Sequence, residues 1–129
     1  MTLKKVILIT GVSSGFGKHT ASLLAKQGHI VYGSVRNIAD NSDPSIKTVY
    51  LDLSDKSSIN SAVETILRNE GRIDVLINNA GMHTGGPIET LPEEFIRKQF
   101  ETNFFGLVEL TRNVLPIMRN QGSGTIINI

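Results

Sequence analysis

A chain of 129 residues that is 40% hydrophobic and 19% charged is long enough to enclose one core and too apolar to be disordered. Thirteen Lys and Arg stand against twelve Asp and Glu, a net charge of +1 with no basic block, which argues against a nucleic-acid partner. The absence of cysteine excludes disulfides, thiolate metal sites and thiol catalysis, and the cytoplasm is the expected compartment.

In chain order, Lys4-Lys5 precede a short apolar run, Val6–Thr10. Gly11 and Ser13-Ser14 end that run too early for a signal peptide, so it reads as a buried strand. No stretch approaches the roughly 20 apolar residues that a membrane span requires, and no membrane partner is expected. Gly17–Gln27 follows as a helix with Ala21, Leu24 and Ala25 on one face, and Gly28 stops it. Ile30–Val35 is a second strand. Residues 37–47, with Pro, Ser, Asn and Asp and no apolar period, read as a loop with at most a brief helical turn.

Thr48–Leu53 is the third expected strand. Ser54 then serves as N-cap of a helix carrying Ile59, Val63, Ile66 and Leu67 on one face, closed by Gly71. Asp74–Asn78 is the fourth strand. A longer helix is expected to begin at Thr90, with Glu93 completing a capping box and Pro92 in its first turn. It should run to about residues 113–118, with Pro116 allowing a kink or an early end. Thr125–Ile129 is the fifth strand. The strands are short, non-alternating and rich in Val, Ile and Leu, as expected of strands buried on both faces. Their alternation with helices predicts one α/β unit, a doubly wound parallel sheet with right-handed crossovers, and no linker divides residues 1–129.

Between the first strand and the first helix, Gly11, Gly15 and Gly17, with Phe16 between the last two, allow a sharp turn and close backbone approach to a ligand. A helix N-terminus behind such a turn presents free N–H groups and a positive dipole end, a seat for a pyrophosphate. Ser13 and Ser14 offer hydroxyls that bind phosphate or ribose oxygens, or are simply solvated. At the end of the second strand, a fold that selects NAD places an acid for the ribose 2′-OH. Here Val35 is followed by Arg36, whose cationic fork suits a 2′-phosphate, so NADP(H) is expected over NAD(H). A plain surface arginine is the alternative. Asn78 and Asn79, at the end of a buried strand, need hydrogen-bond partners, and tying strands together is as good a use as touching a ligand. Asn103 lies beside Phe100, Phe104 and Leu107, a polar residue near an apolar face. His19, His29 and His83 are scattered without metal-ligand spacing.

Thr-Gly-Val-Ser-Ser-Gly-Phe-Gly at residues 10–17, Asn-Asn-Ala-Gly at 78–81 and Asn103 together resemble the short-chain dehydrogenase/reductase family. The resemblance implies a Rossmann-like fold and NADP(H)-dependent hydride transfer between a ketone and a secondary alcohol. It implies that Asp52 and Leu53 contact the adenine, though Asp52 could instead cap the following helix. Asn78 would stabilise the sheet, while Asn79, Ala80 and Gly81 line the cofactor ribose. Asn103 would be catalytic, bonding a water that extends a proton relay from a Lys. Family members often pair through the long helix, so a homo-oligomer is expected. The turn at 13–19 and Val31–Arg36 are similar to hydroxysteroid-type members, but the identity of the carbonyl or alcohol substrate is not readable here.

The family's catalytic Ser and Tyr-x-x-x-Lys cannot be placed in this sequence. Tyr32 and Tyr50 are followed at the fourth place by Arg36 and Ser54. Residues 124–129 resemble the family's fifth strand up to the position before the expected Ser. The expectation is therefore that residues 1–129 are the cofactor-binding N-terminal part of a longer oxidoreductase domain, incomplete by itself. An inactive dinucleotide-binding module and a fragment that binds nothing are the alternatives. An uncovered strand bearing Ile126, Ile127 and Ile129 is expected to favour self-association.

Overall fold

Val6–Thr10 (β1) is buried along its whole length, because it is the strand that both halves of the sheet share. The computed structural model describes residues 3–129. On one side β1 pairs with Ile30–Val35 (β2), with Thr10 opposite Ser34. On the other it pairs with Val75–Asn78 (β4), with Ile9 opposite Ile77. Lys47–Tyr50 (β3) and Thr125–Asn128 (β5) complete a parallel sheet in the order β3-β2-β1-β4-β5. The chain winds outward from β1 to β3 and then crosses back to β4. Loops leaving the carboxyl ends of β1 and β4 therefore run in opposite directions and open a crevice between them.

Successive sheet residues point to opposite faces. Ile7, Ile9, Val31 and Ile77 pack with Ala21 of the helix Gly15–Lys26 (α1). Leu8, Tyr32 and Leu76 pack with Ile59 and Ile66 of Lys56–Glu70 (α2), and with Leu110 and Val114 of Leu107–Gln121 (α4). A helix Glu93–Phe100 (α3) leads through a π-helical turn, Glu101–Gly106, directly into α4. The core-facing positions of this long element are Gly106, Leu110, Val114 and Met118, four residues apart, while Phe100 and Phe104 are more than half exposed. The apolar face that the sequence places around Asn103 is thus largely an outer face.

Several boundaries differ from expectation for local reasons. β3 ends at Tyr50 because the Asp52 carboxylate takes both the N–H (2.9 Å) and the hydroxyl (2.6 Å) of Ser54 and turns the chain out of the sheet. Ser54, so occupied, does not cap α2. Asp55 does, accepting from Ser57 N–H at 3.0 Å. Asp52 is likewise not the cap. Helix α1 starts at Gly15, two residues before Gly17. The capping box at Thr90 does not form: Thr90 donates to the Pro87 carbonyl, and Glu93 bonds Arg97 one turn on. Pro116 lies exposed inside α4, which continues to Gln121 and stops at Gly122. β1 and β4 are buried as expected, but β5 is an exposed edge with only Ile126 half-buried.

The loop after β2 holds the brief 3₁₀ turn Ile38–Asp40 and is ordered by polar side chains together with one apolar anchor, buried Ile46. Asn41 donates to Thr48 Oγ1 (2.7 Å) and to the Ile46 carbonyl, and Asp43 accepts from Ser22 of α1. The Ser22 hydroxyl, followed by the Ser45 hydroxyl and N–H, holds the Asp43 carboxyl down at about 2.

At the opposite end of the sheet, buried Asp74 accepts from Val6 N–H (2.8 Å) and from Arg72 Nε (2.9 Å), joining the starts of β1 and β4. Burial raises the Asp74 pKa, but the Arg72 hydrogen bonds, the Val6 N–H and the Arg72 charge outweigh it, and the net shift is downward. A depressed carboxyl contributes stability above its unfolded pKa and loses it as pH falls through the folded value. Asp74→Ala should therefore cost about 1–3 kcal/mol at neutral pH by leaving the Val6 N–H without its partner. Urea denaturation should show that deficit shrinking in acid.

Candidate functional site

The crevice is shaped by lacing between the turns that leave β1 and β4. Thr10, 1% exposed, accepts through Oγ1 from the N–H groups of Asn79 (3.0 Å) and Ala80 (2.9 Å). Asn79 returns the contact, its Nδ2 donating to the carbonyls of Thr10 (3.0 Å) and Gly11 (3.2 Å). The backbones lie so close that a Cβ on Gly11 would sit 2.9 Å from Ala80 Cα, and Gly11 also has φ +74°. A Cβ on Gly17 would run into the Gly11 carbonyl and the Asn79 amide. Only glycine is compatible with both positions. The turn is held from the β2 side as well, since the Ser34 carbonyl accepts from Gly11 N–H (3.2 Å) and Val12 N–H (3.1 Å).

Gly15 and Phe16 open α1, and Ser14 occupies its N-cap position without a side-chain capping bond. The first turn of α1 contains no acidic residue either. In α2 the corresponding position is capped by Asp55. An uncapped helix start at the mouth of a crevice leaves N–H groups for an anion.

A cleft of about 550 Å³ runs from this turn along the carboxyl ends of the strands, within the size range of ligand sites. Gly11, Ser13, Ser14 and the strongly exposed Phe16 line its α1 end. Asn79, Ala80 and Gly81 form the β4 wall. Arg36, just past buried Val35, and the turn Asp52-Leu53 form the far end. Gly15 and Gly17 shape the turn behind this surface. Every residue expected from the sequence to bind the cofactor thus lies on the cleft or in the turn that shapes it.

Asp52 has its carboxyl held below the ordinary range, mainly by the hydroxyl and N–H of Ser54. Burial opposes this, and the nearby charges of Arg36 and Lys98 assist it. Both Ser54 bonds fall on Oδ1, which leaves Oδ2 without a hydrogen bond from the described residues.

Asn103 sits one layer behind, in the π-helical turn. Its Oδ1 accepts from Met82 N–H (2.8 Å) and its Nδ2 donates to the Met82 carbonyl (2.7 Å), clamping the segment after Gly81. Single π turns inside helices are frequent at functional sites. Asn78 is turned away from the cleft and donates to Asn128 Oδ1 of β5 (2.8 Å) and to Thr111 (3.3 Å), a strand-tying role. Sequence reasoning missed Ser34, Lys98 and Thr102, and it took Thr10 as part of the motif without giving it a role. The signal for Thr10 was a hydroxyl at the end of an otherwise apolar strand. For Lys98 and Thr102 it was their four-residue spacing, which puts both on one helix face.

A doubly wound sheet with a glycine turn, an open helix start and a crevice at the strand ends defines a dinucleotide-binding α/β protein. Residues 5–129 match the family model described as short chain dehydrogenase, and the chain belongs to that family. It is 50% identical over 125 residues to a 3-ketodihydrosphingosine reductase of Bacteroides thetaiotaomicron, an alignment spanning 97% of this chain and 46% of the relative. A short-chain dehydrogenase structure from Streptomyces avermitilis superposes with TM-score 0.92 at 37% identity, covering 97% of this chain and 48% of that one. A 3-ketoacyl-(acyl-carrier-protein) reductase of Brucella melitensis, solved in complex with NADH, gives TM-score 0.89 at 31% identity, covering 96% and 56%. The chain spans about half the length of the curated relatives it matches. Among the described residues no helix is long and apolar enough to cross a membrane.

Replacing Thr10 by Val keeps its shape and removes the acceptor for two N–H groups, so Thr10→Val should cost about 1–3 kcal/mol in urea denaturation. Thr10→Ser, which keeps the oxygen, should remain much closer to wild type.

Proposed function

We propose that this chain forms the cofactor half of an NADP(H)-dependent oxidoreductase that interconverts ketones and secondary alcohols, residues 1–129 being the N-terminal part of its domain. The observation that carries this reading is the uncapped start of α1, set behind a turn where Gly11 and Gly17 leave no room for a side chain. A pyrophosphate placed there meets backbone N–H groups and the helix dipole. The open Oδ2 of Asp52 suits the adenine amino group, and Asn79, Ala80 and Gly81 suit the ribose. When bound, the nicotinamide supplies or accepts the hydride. Asn103, through its two hydrogen bonds to the Met82 backbone, holds the wall beside Gly81 and is the residue of this chain proposed for the catalytic relay.

Arg36 on the cleft, and the absence of an acid at Val35, support NADP(H) over NAD(H). Ketone chemistry is supported by the names of the Bacteroides and Brucella relatives, both of which denote ketone reduction. The cytoplasm is the proposed compartment. A homo-oligomer is proposed as well, supported by the exposed Phe95, Phe104 and Phe105 along the long helix.

Fluorescence titration provides the test. Arg36→Ala should weaken NADPH binding about tenfold or more, the worth of a charge-assisted phosphate contact, and leave NADH within about twofold. Equal losses for both cofactors would remove the assignment. Carbonyl-dependent NADPH oxidation by the full-length protein tests the reaction itself. Cofactor binding without turnover would make the chain part of an inactive dinucleotide-binding module.

A further inference from the structure

The cleft's lining residues include three charged side chains: Arg36, Asp52 and Lys98. They come from three different elements. Arg36 follows β2, Asp52 lies in the turn after β3, and Lys98 belongs to α3, and all three line the cleft. The same cleft is lined by both cations and by Asp52, and the charges of both add to the downward shift of the Asp52 carboxyl. Neither Arg36 nor Lys98 forms an ion pair among the described residues. For Lys98 this is informative, because Glu94 and Glu101 stand one turn away on either side of it, at spacings where helix ion pairs ordinarily form.

Charge balance then decides how many cations the site needs. A 2′-phosphate adds a charge of about −1.5 to −2 to the adenosine ribose. The Asp52 carboxylate, on the same cleft, opposes a 2′-phosphate and offsets part of the attraction that Arg36 supplies. With Lys98 included, two cations face one anion, and the end of the cleft is net positive. We propose that Lys98 is the second cation of the 2′-phosphate site, forming with Arg36 a two-cation clamp that selects NADP(H) over NAD(H). This rests on the proposed NADP(H) reading and deepens it: Arg36 supplies the planar fork, and Lys98 supplies the charge that offsets Asp52. Lys98 also lies one helical turn from Thr102, another cleft residue, so the helix that carries Asn103 contributes to cofactor choice through the same face.

The test is a set of NADPH and NADH titrations on the full-length protein, comparing wild type with Lys98→Gln, Lys98→Arg and Arg36→Gln at low and high salt. Lys98→Gln should weaken NADPH about tenfold and NADH less than about twofold, and should flatten the salt dependence of NADPH binding. Lys98→Arg should stay near wild type. Lys98 is exposed, so thermal unfolding of all three variants should match wild type. If Lys98→Gln weakens both cofactors equally, or neither, while Arg36→Gln still discriminates, Lys98 is not part of the phosphate site and the NADP(H) reading stands. If wild type fails to prefer NADPH and Arg36→Gln does not discriminate, the NADP(H) reading itself falls, and the clamp falls with it.

Discussion

Everything at the cleft depends on how closely the turn after β1 can lie against the turn after β4. Thr10 and Asn79 set that distance by exchanging hydrogen bonds in both directions, and Gly11 and Gly17 permit it by having no side chain. The two turns belong to strands at which the winding of the sheet reverses, so the same contact that draws them together at their base lets them diverge above it. The crevice is a consequence of sheet order, and its floor is a consequence of two side chains and two glycines. Loosening the lacing would shift the start of α1 relative to Asn79–Gly81, and the seat for an anion would lose its shape before the sheet lost its core.

A second tier of contacts brings the long helix to the same place. Gly106 lets the π-helical turn pack against Leu53, where any Cβ would strike the Leu53 carbonyl. Asn103, three residues earlier, grips the backbone of Met82. The helix is therefore pinned to both the β3 and β4 exits, and Lys98 and Thr102 reach the cleft from it. Stability and function are joined here: residues that fix the helix also complete the far wall. The opposite end of the sheet carries a separate set of ties, Asp74 with Val6 and Arg72, and Gln121 with both backbone groups of Ile73. These hold β1, β4 and α4 in register without touching the ligand surface.

The parallel sheet, the buried faces of α1 and α2 and the phosphate turn were legible in the sequence because each rests on local pattern. Val6–Thr10 announces a buried strand by composition, and Ile59, Val63 and Ile66 announce a helix face by spacing. What was not legible depends on competition between side chains for the same backbone groups. Asp52 takes Ser54, which hands the capping of α2 to Asp55, and Thr90 turns to Pro87 instead of pairing with Glu93. No spacing rule ranks these alternatives. The β1 and β4 strands were rightly read as buried, and β5, of similar composition, is the uncovered strand that was expected, because burial is decided by neighbours in space. Asn103 was legible as a polar residue that needs partners, but Met82 as that partner was not, since it lies 21 positions away. Lys98 carries no signal of its own in the sequence, and only the fold puts it on the same cleft as Arg36.

The central claim is that an anionic dinucleotide seats its phosphates on the open start of α1 and lies along the laced turns. An ¹⁵N-labelled sample titrated with NADPH and followed by amide chemical shifts tests it most directly. The account predicts large shifts at Gly15, Phe16 and Gly17, together with Asn79, Ala80 and Gly81, and little change in the buried strand cores. Shifts absent from the α1 start, or confined to the outer face of the long helix, would contradict it.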